Sequence, residues 1–258
     1  MSFDDIAVEK SGSTAFVTLN RPERRNALSL AMIEELTRCF RDIGADAEVR
    51  VAILRANGPA FSAGHDIGEM VGCEGAFHRR LFEACTALME TLQGIPQPVI
   101  AQVHGIATAA GCQLVASCDL AIAAEEARFA TPGVKIGLFC STPMVALSRA
   151  VGARRAMEML LTGEAISAHE AQAAGLVNRV VPAVELPAAA KAMAAKIAAM
   201  SPTVIALGKA AFYRQLQMPQ PLAYDYAQDV MSMNAGAADA QEGMKAFLEK
   251  RPPVWRGR

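Results

Sequence analysis

Two apolar runs in this chain each break into a turn of small residues. VRVAILRAN (Val49–Asn57) leads into AFSAGHDIGEM (Ala60–Met70), and PVIAQV (Pro98–Val103) leads into GIATAAGCQLVASCDL (Gly105–Leu120). Apolar runs of this length read as buried strands. A strand that ends in Gly and Ala exposes backbone N–H groups, because side chains too small to shield them let another molecule approach closely. Two such turns, one after each of two strands, can aim two N–H groups at a single point. A developing oxyanion needs that arrangement: fixed donors in a site shielded from water.

The elements between and around these turns alternate. Ile6–Lys10 and Thr14–Asn20 flank Ser-Gly-Ser and read as a β-hairpin. Ser29 is placed to cap a helix to about Ile43, with Leu30, Ile33, Leu36 and Phe40 at helical spacing. Phe77–Gln93 carries Leu81, Ala84, Cys85, Leu88 and Leu92 on one helical face; Ala109–Ser117 reads as a short buried helix and Asp119–Ala124 as a strand. This order implies a sheet with helices packed outside it. After Ser141 the pattern is mostly helical, with one strand expected within Leu176–Val181. Pro187–Met200, Pro202–Gln217, Pro221–Met233 and Ala237–Lys250 read as four helices, three of them opening on Pro.

The 258 residues, 52% of them apolar, suffice for one large core or a core with a helical appendage. Net charge is −1 and no basic block occurs, which disfavours nucleic acid or a membrane surface as partner. Cys39, Cys73, Cys85, Cys112, Cys118 and Cys140 form no C-x-x-C pair and no zinc spacing with histidine. They read as reduced, mostly buried thiols of a cytoplasmic protein, and no metal is expected. MSFDDIAVEK is acidic and lacks the apolar stretch of a secretory signal. The most apolar stretch, Val99–Ala124, contains Gln102, His104, Gln113 and Asp119 and reads as strand, turn and helix rather than a membrane span.

FSAGHD, GCQLVASCDL, LNRPERRNAL (Leu19–Leu28) and EGMKAFLEKRPPVW (Glu242–Trp255) together resemble segments of the enoyl-CoA hydratase/isomerase (crotonase) superfamily. The set FSAGHD, ATAAGCQLVASCD and FATPGVKIGLFCSTP is most similar to the branch called enoyl-CoA hydratase domain-containing. The resemblance implies an α/β crotonase (ClpP/crotonase-like) fold: repeated ββα units in residues 1–185, then a C-terminal helical region, 186–258, that packs in a trimer or a dimer of trimers. It implies that the oxyanion donors are the backbone N–H groups of His65 and Ala110. It also implies an acyl-CoA thioester substrate, with coenzyme A arriving as part of that substrate and no permanently bound cofactor. Arg24, Arg25, Ala63, Asp66 and Ile67, with Phe247 and Lys250 from the last helix, would contact the CoA. Each of these cations reads equally as a solvated surface charge. Cys140 and Ser141 fall in GLFCST, the segment that shapes the acyl pocket, and Cys140 reads as a lining residue.

The chain departs from that pattern where hydratases carry two catalytic glutamates. Those positions are Gln113, three residues after the second donor, and Gly133, four residues after Phe129. Glutamine exchanges no proton near neutral pH and glycine has no side chain. A positioned acid or base is worth about 10²–10⁴ in rate, so hydration should be very slow. Glu69 and the imidazole of His65, ordinarily titrating near neutrality, are the alternative proton carriers; an outward-facing His65 is the plainer reading. Three functions follow: a lyase of enoyl-CoA hydratase type in fatty-acid or related acyl-CoA metabolism, a decarboxylase of malonyl-type thioesters, or a non-catalytic CoA-ester-binding protein.

Overall fold

The first strands are β1 (Ile6–Ser11) and β2 (Thr14–Leu19), an antiparallel hairpin with Ile6 opposite Leu19. A short turn of 3-10 helix, Pro22–Arg24, leads to α1 (Leu30–Ala45), where the Ser29 hydroxyl accepts from the Met32 N–H and one face buries Met32, Ile33, Leu36, Phe40 and Ile43. β3 (Val51–Ala56), the four-residue α2 (Ile67–Met70), α3 (Gly75–Gly94), β4 (Val99–Val103), β5 (Ile106–Thr108), α4 (Ala110–Ser117), β6 (Leu120–Ala124) and β7 (Arg128–Ala130) follow. The rest comprises α5 (Pro143–Ala150), α6 (Ala153–Thr162), β8 (Ile166–Ser167), α7 (Ala168–Ala174), β9 (Arg179–Val181), α8 (Leu186–Ala198), α9 (Pro202–Gln215), α10 (Gln220–Ala235) and α11 (Ala238–Leu248). This is a computed structural model, and it describes residues 3–257.

Six strands form one sheet in the order β1-β2-β3-β4-β6-β9, parallel from β2 onward. Its central strands are apolar on both faces because both faces are covered. Ala52 and Leu54 of β3, with Val99 and Ala101 of β4, point into a core shared with α1, α3 and α4; Val51, Ile53 and Ile100 point the other way and meet Leu186, Ala190 and Met193 of α8. The division at residue 185 therefore falls where α8 begins, and α8 closes the second face of the sheet. The helices that stand outside the core begin with α9.

A second, three-stranded sheet, β5-β7-β8, stands apart from the first. Its strands have two or three residues each, too few for an alternating pattern, so the sequence does not announce it. It carries β4 through β5 into α4, and so places the second small-residue turn beside the first.

The C-terminal helices are tied to the sheet by one buried clip. Lys209 of α9 donates to the carbonyls of Leu92 (2.7 Å) and Gln97 (2.9 Å) and to Asp119 (2.7 Å), while Tyr213 donates to the other Asp119 oxygen. Burial lowers the Lys209 pKa, and the Asp119 carboxylate opposes that shift. Asp119 is the acid that ends the ASCD motif.

Candidate active site

Hydrogen bonds to neighbouring segments hold the first turn on both sides of His65. Ser62 N–H donates to Ile106 O (3.1 Å) and Ser62 O accepts from Thr108 N–H (3.0 Å), which bonds the first turn to β5. Leu28 N–H donates to Gly64 O (2.7 Å) and Leu28 O accepts from Asp66 N–H (3.1 Å). This ladder passes over His65, whose N–H has no backbone acceptor among the described residues. In the second turn, Ala109 donates to Ala130 O (2.9 Å) and turns the chain at φ 50°, ψ −117°. Ala110 then opens α4, and as the first helical residue it finds no acceptor within the helix.

Gly64 is what lets the two turns meet. Its φ is +87°, and a Cβ there would lie 2.9 Å from Thr108 O, 2.9 Å from Ala109 Cβ and 3.3 Å from the Ala110 nitrogen. Any side chain at 64 would therefore separate the two N–H groups as well as strain its own backbone.

The turns form one wall of a cavity of about 310 Å³, lined also by Met70 of α2, Phe82 of α3 and the segment Pro132–Pro143. His65 lines it too. The ring packs edge-on against Phe82 at 5.4 Å, and burial pushes its pKa down from 6.5 to about 4. The outward-facing reading of His65 is thus incorrect, and so is the expectation of titration near neutrality: the imidazole is neutral at physiological pH. Cys140 lines the cavity as expected, and its burial raises the thiol pKa.

The candidate proton carriers fare differently. Gln113 lies one turn into α4, buried, with its Oε1 lacking a hydrogen-bond partner among the described residues. Gly133 lines the cavity with little room around it: a Cβ would meet Leu138 O at 2.6 Å and Cys140 Sγ at 2.9 Å. Gly133 is not among the glycines with positive φ, so the obstacle to a side chain there is space rather than backbone angle. Glu69 is engaged elsewhere. Its Oε2 accepts from Leu30 N–H (2.9 Å) and serves the start of α1. Asp66 is fully occupied as well: Oδ1 caps α2 at Gly68 N–H (3.1 Å) and Oδ2 pairs with Arg21 (3.2 Å).

These features meet known proteins over nearly the whole chain. The family model described as enoyl-CoA hydratase/isomerase matches residues 9–258. The chain belongs to the enoyl-CoA hydratase/isomerase family. It is 49% identical to the rat mitochondrial protein called enoyl-CoA hydratase domain-containing protein 3, over 93% of this chain and 80% of that one. The crystal structure of the human protein of that name superposes with a TM-score of 0.95 at 46% identity, covering 98% of this chain and all of the other. A Mycobacterium smegmatis structure described as enoyl-CoA hydratase gives a TM-score of 0.96 at 48% identity, covering 98% and 99% of the two chains. The crotonase fold and the hydratase domain-containing resemblance are thereby shown.

Within this family the residues expected at coenzyme A divide into two groups. Arg24 and Arg25 are exposed beside the first turn: Arg24 lies 4.0 Å from Asp66, and Arg25 O accepts from Ala63 N–H (3.0 Å). Ala63 and Ile67 line the cavity, whereas the Asp66 N–H is already given to Leu28, so Asp66 has no backbone donor to offer a ligand. Phe247 and Lys250 are exposed at the end of α11 and do not line this chain's cavity.

Four residues of the site escaped the sequence reading. Asn26 is fully buried at φ 52° and donates to the carbonyls of Asn57 and Ala60 (both 2.8 Å), while Arg21 donates to Ala27 O (2.8 Å) and Asp66. Together they hold the first turn. The signal was present in RPERRNAL, since Asn tolerates the left-handed conformation. Phe82 stood just off the apolar stripe of its helix. Ala109 sits at a backbone angle usual for Gly, which no local pattern reveals.

Proposed function

We propose that the protein binds an acyl-CoA thioester with its carbonyl oxygen between the N–H groups of His65 and Ala110, and processes it through an enolate-like state held by those donors. The observation that carries this reading is the pair of turns hydrogen-bonded to each other through Ser62, each offering an N–H with no acceptor among the described residues beside one apolar cavity. Two aligned donors in a site poor in water stabilise the charge that develops on a thioester oxygen when its α-carbon gains or loses a proton, and one such donor is worth about 10²–10³ in rate. Coenzyme A arrives with the substrate. Arg24 and Arg25 would pair with its phosphates, and Ala63 and Ile67 would contact its pantetheine arm.

The familiar hydration route lacks both its acids here. Gln113 has no proton to exchange, Gly133 has no side chain, and Glu69 and Asp66 are committed to structure. Hydration of crotonyl-CoA is therefore very slow while acyl-CoA binding is retained. The test is loss of enoyl absorbance with short and medium 2-enoyl-CoA substrates, alongside calorimetric binding. Turnover within the ordinary enzyme range of about 1–10³ s⁻¹ would show that another residue carries the proton. Absence of acyl-CoA binding would remove the reading altogether.

The same proposal includes a trimer or a dimer of trimers. Phe212 and Leu216 at the end of α9, Leu222 and Met231 of α10 and Phe247 of α11 are all more than half exposed, and apolar surface on this scale marks an interface. Phe247 and Lys250, which do not line this chain's cavity, would contact CoA across such an assembly. A monomeric mass by light scattering at micromolar protein would contradict it.

A further inference from the structure

Asp119 closes the loop that carries the second donor. Its N–H donates to Val99 O (3.0 Å) and its Oδ2 accepts from Val99 N–H (2.7 Å). Between these two residues the chain runs up β4, through β5 and the second turn, and back down α4. Ala110 opens α4 and the Asp119 closure lies just past its other end, a span of about 12 Å at a rise of about 1.5 Å per residue. Every α4 residue except Ala116 is buried, and its first turn abuts the other donor turn: a Cβ at Gly111 would meet Ser62 O at 2.5 Å and Ser62 Cβ at 2.7 Å. A shift of α4 therefore moves the second donor against the first.

The base of this loop is held from outside by α9. An ammonium has three N–H donors, and those of Lys209 go to Leu92 O, Gln97 O and Asp119 Oδ2, while Tyr213 donates to Asp119 Oδ1 (2.9 Å). The Lys209 and Asp119 side chains are 6% and 13% exposed. A buried ion pair adds little net stability over an apolar pair of similar volume, because desolvation offsets the attraction. Its directed bonds do fix one register among α9, β4 and the end of α4.

We infer that Asp119, Lys209 and Tyr213 position the Ala110 N–H, so that α9 sets the geometry of the oxyanion hole from the far end of α4. None of the three lines the cavity; they act through α4 and are positioning residues. The first donor has a separate support, since His65 is held between the Gly64 and Asp66 bonds to Leu28. Damage to the clip thus reaches one donor of the two. This rests on the oxyanion-hole reading and adds the control of one donor by a helix outside the site.

The test separates stability from donor geometry. Lys209→Met alone leaves Asp119 buried without its cation and should be the least stable variant. Lys209→Met combined with Asp119→Asn removes both charges, keeps an acceptor for Val99 N–H, and should regain most of the melting temperature. Tyr213→Phe removes one bond and leaves the ion pair, so it carries the test if the double variant does not fold. Met193→Ala, in the core on the opposite face of the sheet, is the control that lowers stability elsewhere. Calorimetry compares octanoyl-CoA with free CoA, and infrared spectroscopy follows an isotope-labelled thioester carbonyl in bound octanoyl-CoA, whose stretch the donors shift to lower frequency. The double variant is expected to lose part of that shift and about 2- to 10-fold in octanoyl-CoA affinity, the scale of one hydrogen bond, with free CoA unchanged. Tyr213→Phe should lose less, and Met193→Ala should keep both. An unchanged shift in the folded clip variants, or an equal loss in Met193→Ala, would overturn the positioning role. A wild-type carbonyl with no shift would instead remove the oxyanion-hole reading itself.

Discussion

The two halves of the site differ in what they are made of. One half is backbone: the His65 and Ala110 N–H groups, set by Gly64, Ala109 and the hydrogen bonds of Ser62, Leu28 and Asn26. The other half is the pair of positions from which hydratases act with carboxylates, and here it holds a carboxamide and a glycine. Backbone donors depend on the fold around them and survive almost any change of side-chain chemistry. Proton carriers are single side chains and vanish with one substitution. A site that keeps the first half and lacks the second retains charge stabilisation and loses proton transfer.

Placing a side chain between the two turns tests the backbone half most severely. Gly64→Ala pushes a Cβ to 2.9 Å from Thr108 O at a φ of +87°. It is expected to weaken octanoyl-CoA binding by about 2- to 10-fold, the scale of one lost hydrogen bond, and to destabilise the fold by about 1–3 kcal/mol. Calorimetry with octanoyl-CoA and thermal denaturation measure the binding and the stability separately. Unchanged thioester affinity would mean that the abutting turns are packing and nothing more.

Refilling the side-chain half should succeed at one position and fail at the other. Gln113→Glu places a carboxyl on an existing helix position, and crotonyl-CoA hydration is expected to rise by at least about 10-fold, toward the 10²–10⁴ of a positioned acid or base. Gly133→Glu meets Leu138 O at 2.6 Å and Cys140 Sγ at 2.9 Å, so it should cost about 1–3 kcal/mol in overpacking and lower the melting temperature. The double variant should hydrate no faster than Gln113→Glu alone. A double variant that is stable and much faster would show that the segment 132–142 moves aside easily.

These contrasts also explain which parts were legible in the sequence. The large sheet and its helices were readable because their runs are long and periodic: Ser29 caps α1 as its position suggested, and the four C-terminal helices begin within a residue or so of where Pro and Ala placed them. The two small-residue turns were readable because each follows a long apolar run, and the structure bonds them to each other through Ser62. The three-stranded sheet was not, since β5, β7 and β8 are too short to carry a pattern. Strain at Ala109, the space around Gly133 and the commitment of Glu69 to Leu30 N–H are tertiary facts. Each depends on residues far away in the chain, and a motif reports only its own neighbours.

A smaller effect isolates the strain that aims the second donor. Ala109 is held at φ 50°, ψ −117°, a conformation that costs a residue with a Cβ about 1–3 kcal/mol. Ala109→Gly should remove that cost, offset in part by the roughly 0.5–1 kcal/mol of extra backbone entropy glycine loses on folding. The expected net is a modest stabilisation, seen as a melting temperature a few degrees higher, with acyl-CoA affinity unchanged. A lower melting temperature would show that the Ala109 methyl group contributes packing worth more than the strain.

His65 belongs to both halves, through its N–H and its ring, and its titration separates the two roles. Burial lowers the imidazole pKa from 6.5 to about 4, so in the folded protein the ring stays neutral as pH falls through 6, while in the unfolded chain it takes up a proton. The unfolded state then binds more protons between about pH 6.5 and 4, and by linkage stability contributed at this residue declines as pH drops through that window and is fully present above it. His65→Phe keeps the backbone donor and removes the titrating ring. It should flatten that part of the stability–pH profile and leave thioester binding at neutral pH nearly unchanged. An NMR titration of the wild-type imidazole signals is the direct check. A His65 midpoint near 6.5 would place the ring in water rather than against Phe82, and would restore it as a proton carrier for the half of the site that now lacks one.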